Sequence, residues 1–524
     1  MLLKRILTLA TIAVITLSCA QSGQGGGTGG DNGSGGSTST GGTNGTGGST
    51  TTGGTNGTGG STTTGGTIGT GGSGKGGTTG TGGIVGTGGS VGTGGTVGSG
   101  GSVGTGGHAG SSATGGAAGH GTGGVVGTGG TTGTGGAVAG TGGTGGANTA
   151  GFAENTGANC TATASALLSA DNKKLPNPFA MHDGTVISTK AQWECRRAEV
   201  KADLEKYEVG PKQDPSATTV AATLSGSMLS VKVTSSSGSL TLTSTVSGSG
   251  SCVVIGMDGN SSMVSGCTQI PFTSSQVVQM MQNSNRYQTD PFYKVFPSLW
   301  NQIGNYSAWS WGISRLIDGI VQVKDQLKVD VTKIAVHGCS YAGKMALFGG
   351  ALDERVALTV VEESGGGGID SWRMSQEFTD RTGTSVEKID NTNYAWFMTS
   401  MKSLAPYKLP HDHHELIAMI APRPVIILGN DDYDWLGDES GYKSTMAAIE
   451  VFKAMGVADH IGYDFTSGHK HCVPPTTQQS SVNAFVDRFL KSGTTAPNIA
   501  IKPPKSGFDL NYQAVIDWTT PTLN

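Results

Sequence analysis

Lys333-Ile-Ala-Val-His-Gly338-Cys339-Ser340-Tyr341-Ala342-Gly343-Lys344 is the stretch on which the fold turns. Its first six residues read as a short buried strand, and Lys344 to Ala351 carries the composition of a helix. Between them stands a serine flanked by small residues at Gly338 and Ala342. A sharp turn from strand into helix forces the residue at its apex into a strained backbone state that only small neighbours tolerate. It also aims the following N–H groups at the helix start, where an oxyanion can be held. The stretch therefore predicts a nucleophile elbow, with Ser340 as the nucleophile and the backbone at Tyr341 as an oxyanion donor.

Downstream, Val356 to Val361, Pro424 to Gly429 and Gly462 to Thr466 read as further strands, and Val482 to Leu490 has helical apolar spacing. Strands alternating with helices predict an α/β protein with a parallel sheet, in the three-layer αβα sandwich of the α/β-hydrolases. Upstream, residues 216–270 are rich in Val, Thr and Ser with alternating apolar positions, as in short antiparallel strands.

An acyl-transfer serine needs a base and a carboxylate to orient it, and in α/β-hydrolases these follow in the order Ser, acid, His. Glu362 and Glu363 follow the strand after the nucleophile and lead into the loop Ser364-Gly-Gly-Gly-Gly368, which lets backbone crowd a site. Gly468-His469-Lys470-His471-Cys472 follows the last strand. Asp431, Asp432 and Asp434 lie after the Pro424–Gly429 strand, where many such enzymes place the acid, so Asp432 is the reserve acid. Leu409-Pro-His-Asp-His-His414 has the composition of a metal site, but metal ligands normally come from one helical face or from separate loops. We read that run as structural and expect neither metal nor other cofactor.

Of the 91 glycines in the 524 residues, 60 fall in residues 21–150, where Asp31 and Lys75 are the only formal charges. Such a Gly/Thr/Ser segment cannot bury enough apolar surface to offset roughly 1–2 kcal/mol of backbone entropy per residue. Residues 20–150 are therefore expected to be a disordered tether, with an end-to-end distance of roughly 60–70 Å. The catalytic domain is expected at 151–492. Residues 493–524 form a C-terminal extension that packs as an edge strand or trails as a tail. Before the tether, Lys4 and Arg5 followed by the apolar stretch Ile6 to Leu17 read as a secretory signal over residues 1–19. Leu17-Ser-Cys19-Ala20 resembles the end of a bacterial lipobox, which makes Cys19 the lipidation site, with plain secretion as the alternative. A net charge of −4 supplies no basic stripe for nucleic acid. The membrane is expected to be met only through the N-terminal lipid, and the chain is expected to be a monomer.

Without Cys19, six of the seven cysteines remain, an even set for an oxidising compartment. Cys252 and Cys267 suit a local hairpin clip, Cys160 and Cys195 a staple at the start of the domain, which leaves Cys339 and Cys472. Sequence alone leaves the other connectivities open.

Gly-Cys-Ser-x-x-Gly-Lys (338–344), Glu-Ser-Gly-x-Gly-Gly (363–368) and His-x-His-Cys (469–472) together resemble the glucuronoyl esterases, which cleave esters between glucuronic acid branches of xylan and lignin alcohols. The likeness extends through Leu175-Pro-Asn-Pro-Phe179, Gln192-Trp-Glu-Cys-Arg-Arg197, Trp311 to Asp318, Asp412-His-His414 and Asp434-Trp-Leu-Gly437, about residues 160–492. It implies Ser340 as nucleophile, Glu363 as acid and His471 as base, with His469 only a neighbour. It also implies a Cys339–Cys472 disulfide, and Lys344 and Trp435 as groups meeting the sugar, with Asn393 and Glu387 as weaker candidates. The expected substrate is glucuronoxylan or another lignin–carbohydrate ester. The family usually has arginine after the serine where this chain has Tyr341. That departure admits two alternatives: an esterase for other sugar esters of the acetyl xylan type, or a catalytically weak carbohydrate-binding lipoprotein. A tyrosine hydroxyl aimed at the oxyanion is a further expectation at that position.

Overall fold

The computed structural model describes Glu154 and residues 160–524, together with the backbone of two short segments upstream. Those segments, Gly71–Gly72 and Lys75–Thr81, pair antiparallel within a separate unit spanning Gly23–Thr144. The secretory signal over residues 1–19, the lipidation of Cys19 and the rest of the Gly-rich tether lie outside the described residues. Among the described residues no helix is long and apolar enough to cross a membrane.

The domain begins with α1 (Lys190–Leu204), opened by a capping box in which Thr189 and Gln192 satisfy each other's backbone N–H groups. Three antiparallel strands follow, β1 (Thr219–Ser225), β2 (Met228–Thr234) and β3 (Ser239–Thr245). Their alternation puts Leu229, Val231, Val233, Leu240 and Leu242 inside and Thr241, Thr243 and Thr245 outside. This small sheet lies against α2 (Asn305–Gln322), whose Gln322 amide donates to Val220 O at 2.9 Å and accepts from Ala222 N–H at 3.0 Å.

The central sheet has seven strands in the order β10-β9-β8-β7-β6-β4-β5, every neighbouring pair parallel. Its members are β4 (Val253–Gly256), β5 (Thr268–Gln269), β6 (Ile334–Cys339), β7 (Val356–Glu362), β8 (Val425–Leu428), β9 (Ile461–Asp464) and β10 (Ala500–Lys502). The inner strands are apolar at successive positions because both faces are covered. On one face Ile255, Val336, Val361 and Ile427 meet α2, α3 (Tyr341–Leu352) and α6 (Asp438–Ala454). On the other, Val254, Ala335, Val360 and Ile426 meet Val482, Phe485 and Val486 of α7 (Thr476–Phe489). The fold is the three-layer α/β-hydrolase sandwich.

Two local expectations need correcting. Val253–Gly256 and Thr268–Gln269 are not part of the antiparallel region but form one edge of the parallel sheet. Cys252 and Cys267 are indeed bonded, yet they join the starts of two parallel strands and do not clip a hairpin. The reason is non-local: β4 takes its place in the parallel sheet from β6, about 80 residues further on, and β5 continues the sheet beyond β4.

Residues 493–524 pack on the domain. Strand β10 extends the sheet beside β9, and Leu523 is buried, its N–H donating to Ala454 O at 2.8 Å.

Candidate active site

Strand β6 ends at Cys339, and Ser340 caps α3 with φ +61° and ψ −128°, a conformation a side chain rarely adopts. The turn closes because Gly338 lacks a Cβ: one built there would lie 2.2 Å from the carbonyl oxygen of Ala342. Ser340 N–H donates to Glu362 O at 3.0 Å, and Lys344 N–H donates back to Ser340 O at 3.0 Å, so the apex is held from both sides. Helix α3 is buried on every face, which fixes its N-terminus and the N–H groups of its first turn.

Glu363 leaves the end of β7 with φ +45° and is buried. Its Oε2 accepts from His471 Nδ1 at 3.0 Å and from Asn430 Nδ2 at 3.1 Å, and its Oε1 accepts from the Cys472 N–H at 2.9 Å. Three donors thus set the plane of one carboxylate. With Nδ1 of His471 bound to Glu363, Nε2 is buried and has no hydrogen-bond partner among the described residues. The imidazole is boxed in by Trp435, edge-on at 4.8 Å between centroids, and by Tyr433 at 5.9 Å, whose hydroxyl also accepts the His471 N–H at 3.2 Å. The Cys339–Cys472 disulfide joins the residue before Ser340 to the residue after His471, with Cα atoms 5.7 Å apart. Cys160–Cys195 is formed as well.

The other histidine of the loop is occupied with backbone: His469 Nε2 is 2.7 Å from Thr466 O. Asp432 is exposed, and its Oδ2 accepts the Gly468 N–H at 2.5 Å, so it ties the turn of the histidine loop while Glu363 meets the imidazole. Asp431 accepts from the backbone of Lys505, and Asp434 is exposed on the turn before Trp435.

Lys344 is buried one turn into α3 and needs a partner. Its Nζ donates to Glu387 Oε2 at 2.7 Å and lies 5.4 Å from the centroid of the Trp396 ring. Glu387 reaches this position because Gly366 has no side chain; a Cβ there would stand 2.4 Å from the Glu387 carbonyl oxygen. Asn393, by contrast, is engaged with backbone, donating to Met281 O at 2.7 Å and accepting from Ala395 N–H at 3.0 Å.

The Tyr341 hydroxyl points away from an oxyanion role. It donates to Asp258 Oδ2 at 2.5 Å, and the ring stacks on Trp396 at 5.8 Å. Asp258 is anchored by the N–H and hydroxyl of Ser274, at 2.6 and 2.8 Å. The expectation of a phenolic donor to the oxyanion is therefore corrected: the hydroxyl spends its one hydrogen bond on the Asp258 carboxylate.

The His411–His414 run is structural in geometry. His413 Nδ1 meets Gly368 O at 2.5 Å and its Nε2 meets Glu208 Oε1 at 3.0 Å, while His411 Nε2 lies 3.2 Å from Glu208 Oε2. Burial pushes the Glu208 carboxyl up, but the two imidazoles outweigh it and hold the group well below the usual carboxylate range. Burial pushes His414 down to about 3. Asp412 caps α5 (His413–Ala418) and accepts from Arg373 of α4 (Trp372–Thr382) at 3.0 Å. Through His413 this buried pair braces the glycine loop behind Glu363.

A family model described as fungal glucuronyl esterase matches residues 229–456. A 4-O-methyl-glucuronoyl methylesterase of Hypocrea jecorina is 36% identical over 379 residues, covering 70% of this chain and 80% of that protein. The chain belongs to the glucuronoyl esterase family. Among solved structures, the glucuronoyl esterase catalytic domain from Hypocrea jecorina superposes with a TM-score of 0.62 at 34% identity, covering 69% of this chain and 99% of that one. A serine-to-alanine mutant of the Sporotrichum thermophile glucuronoyl esterase, in complex with methyl 4-O-methyl-beta-D-glucopyranuronate, superposes with a TM-score of 0.64 at 31% identity, covering 70% and 100%. This glucuronoyl esterase is thus a carboxylic ester hydrolase.

Sequence reading passed over three groups at the glucuronoyl esterase site: Asn430 on Glu363, Tyr433 on His471 and Asp258 on Tyr341. Asn430 had a signal, since it stands directly before the acids that follow β8; Asp258 had none, because its partner is 83 residues away.

Proposed function

We propose that the protein is a serine esterase that hydrolyses esters of 4-O-methyl-glucuronic acid carried on xylan, with lignin alcohols as leaving groups. The observation that carries this is the His471 Nδ1 to Glu363 Oε2 bond of 3.0 Å, in a loop tied by Cys339–Cys472 to the elbow of Ser340. The family's relative with a bound methyl glucuronate ester supplies the substrate class.

Ser340 Oγ attacks the ester carbonyl and gives its proton to His471 Nε2. Glu363 stabilises the resulting imidazolium, and the N–H groups at the start of α3, Tyr341 first, receive the oxyanion. As the tetrahedral intermediate collapses, the imidazolium protonates the departing alcohol, leaving a glucuronoyl-serine. Water, deprotonated by the same Nε2, attacks that acyl group; Ser340 leaves with the proton, and the 4-O-methyl-glucuronic acid branch departs with a free carboxyl group, still attached to its xylan. Lys344 binds the sugar hydroxyls alongside Glu387, and Trp435 walls the ring while holding His471. Three disulfides among the described residues support work outside the reducing cytosol. Anchoring through Cys19 belongs to the same proposal.

Methyl 4-O-methyl-glucuronate and acetylated xylan, offered separately to the full chain, test the reading. Turnover of the uronate ester well above acetate release is expected. Acetate release with an untouched uronate ester would make it an acetyl esterase, and glycan binding without turnover of either would make it a binding protein.

A further inference from the structure

Asn430 stands two residues beyond β8 and is fully buried. One amide bridges two loops: Nδ2 donates to Glu363 Oε2 at 3.1 Å and to His469 O at 3.0 Å. Its own backbone N–H donates to Asp438 Oδ2 at 2.8 Å, which fixes where the side chain starts. We propose that Asn430 is a positioning residue of the esterase reaction, the amide that holds the Glu363 carboxylate and the His469–Cys472 loop in one register. The inference rests on reading Ser340, Glu363 and His471 as the reacting groups.

The physical argument concerns rotation and charge. A carboxylate held only by an imidazole can swing with it. Glu363 instead accepts from His471, Asn430 and the Cys472 N–H, so its plane is set by three donors. The partner at 430 must donate twice and carry no charge, because the surroundings are already acidic. Facing it are Glu363 from the end of β7, Asp438 from α6, and His469 from the loop after β9, while His471 of the same loop shares Glu363 Oε2 with it. Asp431 lies beside it, contacted by Lys505 of the C-terminal segment. A carboxylate at 430 would meet Glu363 at hydrogen-bond distance, where two like charges do not both persist. It would also compete with Glu363 for the histidine loop. Asparagine thus leaves the acid's role to Glu363 alone.

The test uses the full chain with Asn430→Ala and Asn430→Asp. Two readings are taken from pH 4 to 9: kcat and KM for methyl 4-O-methyl-glucuronate, and the rate at which a fluorophosphonate labels Ser340. For Asn430→Ala, kcat and labelling rate are expected to fall about 10–100-fold while KM changes little. For Asn430→Asp, the two carboxyls share a proton that must leave before a fully charged Glu363 faces His471, so the acid-side midpoint of both profiles is expected to move up by about one pH unit. Unchanged rates and midpoints in variants that melt at the wild-type temperature would overturn the proposal. If Asn430→Ala does not fold, Asn430→Asp, which changes an NH₂ for an oxygen, decides alone. Labelling does not depend on the substrate. A wild-type chain that labels but leaves the uronate ester intact refutes the substrate reading while the variants still judge Asn430. A wild-type Ser340 that does not label refutes both.

Discussion

Exchanging Glu363 for glutamine is expected to lower kcat by about 10⁴-fold with little change in KM. The magnitude follows from where the three donors sit. Oε2 accepts from His471 Nδ1 and Asn430 Nδ2, while Oε1 accepts from the Cys472 N–H. A glutamine that turns its oxygen to His471 and Asn430 must turn its NH₂ to the Cys472 N–H, donor against donor. Turned the other way, its NH₂ confronts the imidazole and forces the proton onto Nε2, the tautomer that cannot accept from serine. Neither orientation reproduces the native bonds, and a buried donor left unmatched costs about 1–3 kcal/mol in addition. Steady-state kinetics on Glu363→Gln and Asp432→Asn check this. The large loss falling on Asp432→Asn, whose carboxylate receives the Gly468 N–H, would move the acid to that residue.

Removing the Cys339–Cys472 bridge is expected to cost both stability and rate. The bridge spans 133 residues of sequence, and the chain-entropy argument gives about 4–5 kcal/mol for a loop of that size. The melting temperature should fall by on the order of 10 °C. Turnover should fall as well, by about 10–100-fold. Cys472 holds φ +60°, and its N–H is one of the three donors to Glu363, so a loop released there loses the strained residue and the acid's contact together. Removing Cys252–Cys267, which spans 15 residues, should cost about 3 kcal/mol and leave kcat nearly intact. Thermal melts with kcat for the two double alanine variants separate the cases. Equal kcat in both would show that the first bridge stabilises the fold without positioning His471.

The elbow was legible because its constraints are local: Gly338, Ser340 and Ala342 are near neighbours, and a strand-to-helix turn accepts few other residues. The order of Glu363 and His471 along the chain, with a cysteine beside Ser340 and another beside His471, singled out a carboxylate and an imidazole that the structure brings together. Legibility ended where partners are distant and chemically ambiguous. Val253–Gly256 looks like any other short strand in its neighbourhood and joins the parallel sheet only because β6 lies beside it. A tyrosine after the serine suggests a phenolic donor until Asp258 is found 2.5 Å away. The run of acids after β8 has the composition of a triad acid, yet it is the amide before them, Asn430, that touches Glu363, while Asp432 binds the Gly468 N–H.

The most direct measurement is kcat/KM for methyl 4-O-methyl-glucuronate with the wild-type chain and with Ser340→Ala, combined with peptide mapping of wild-type protein quenched in acid during turnover. Wild-type hydrolysis, a loss of about 10⁴-fold or more in the variant, and a glucuronoyl group on the peptide containing Ser340 are the predicted results. Hydrolysis that survives Ser340→Ala would contradict the account.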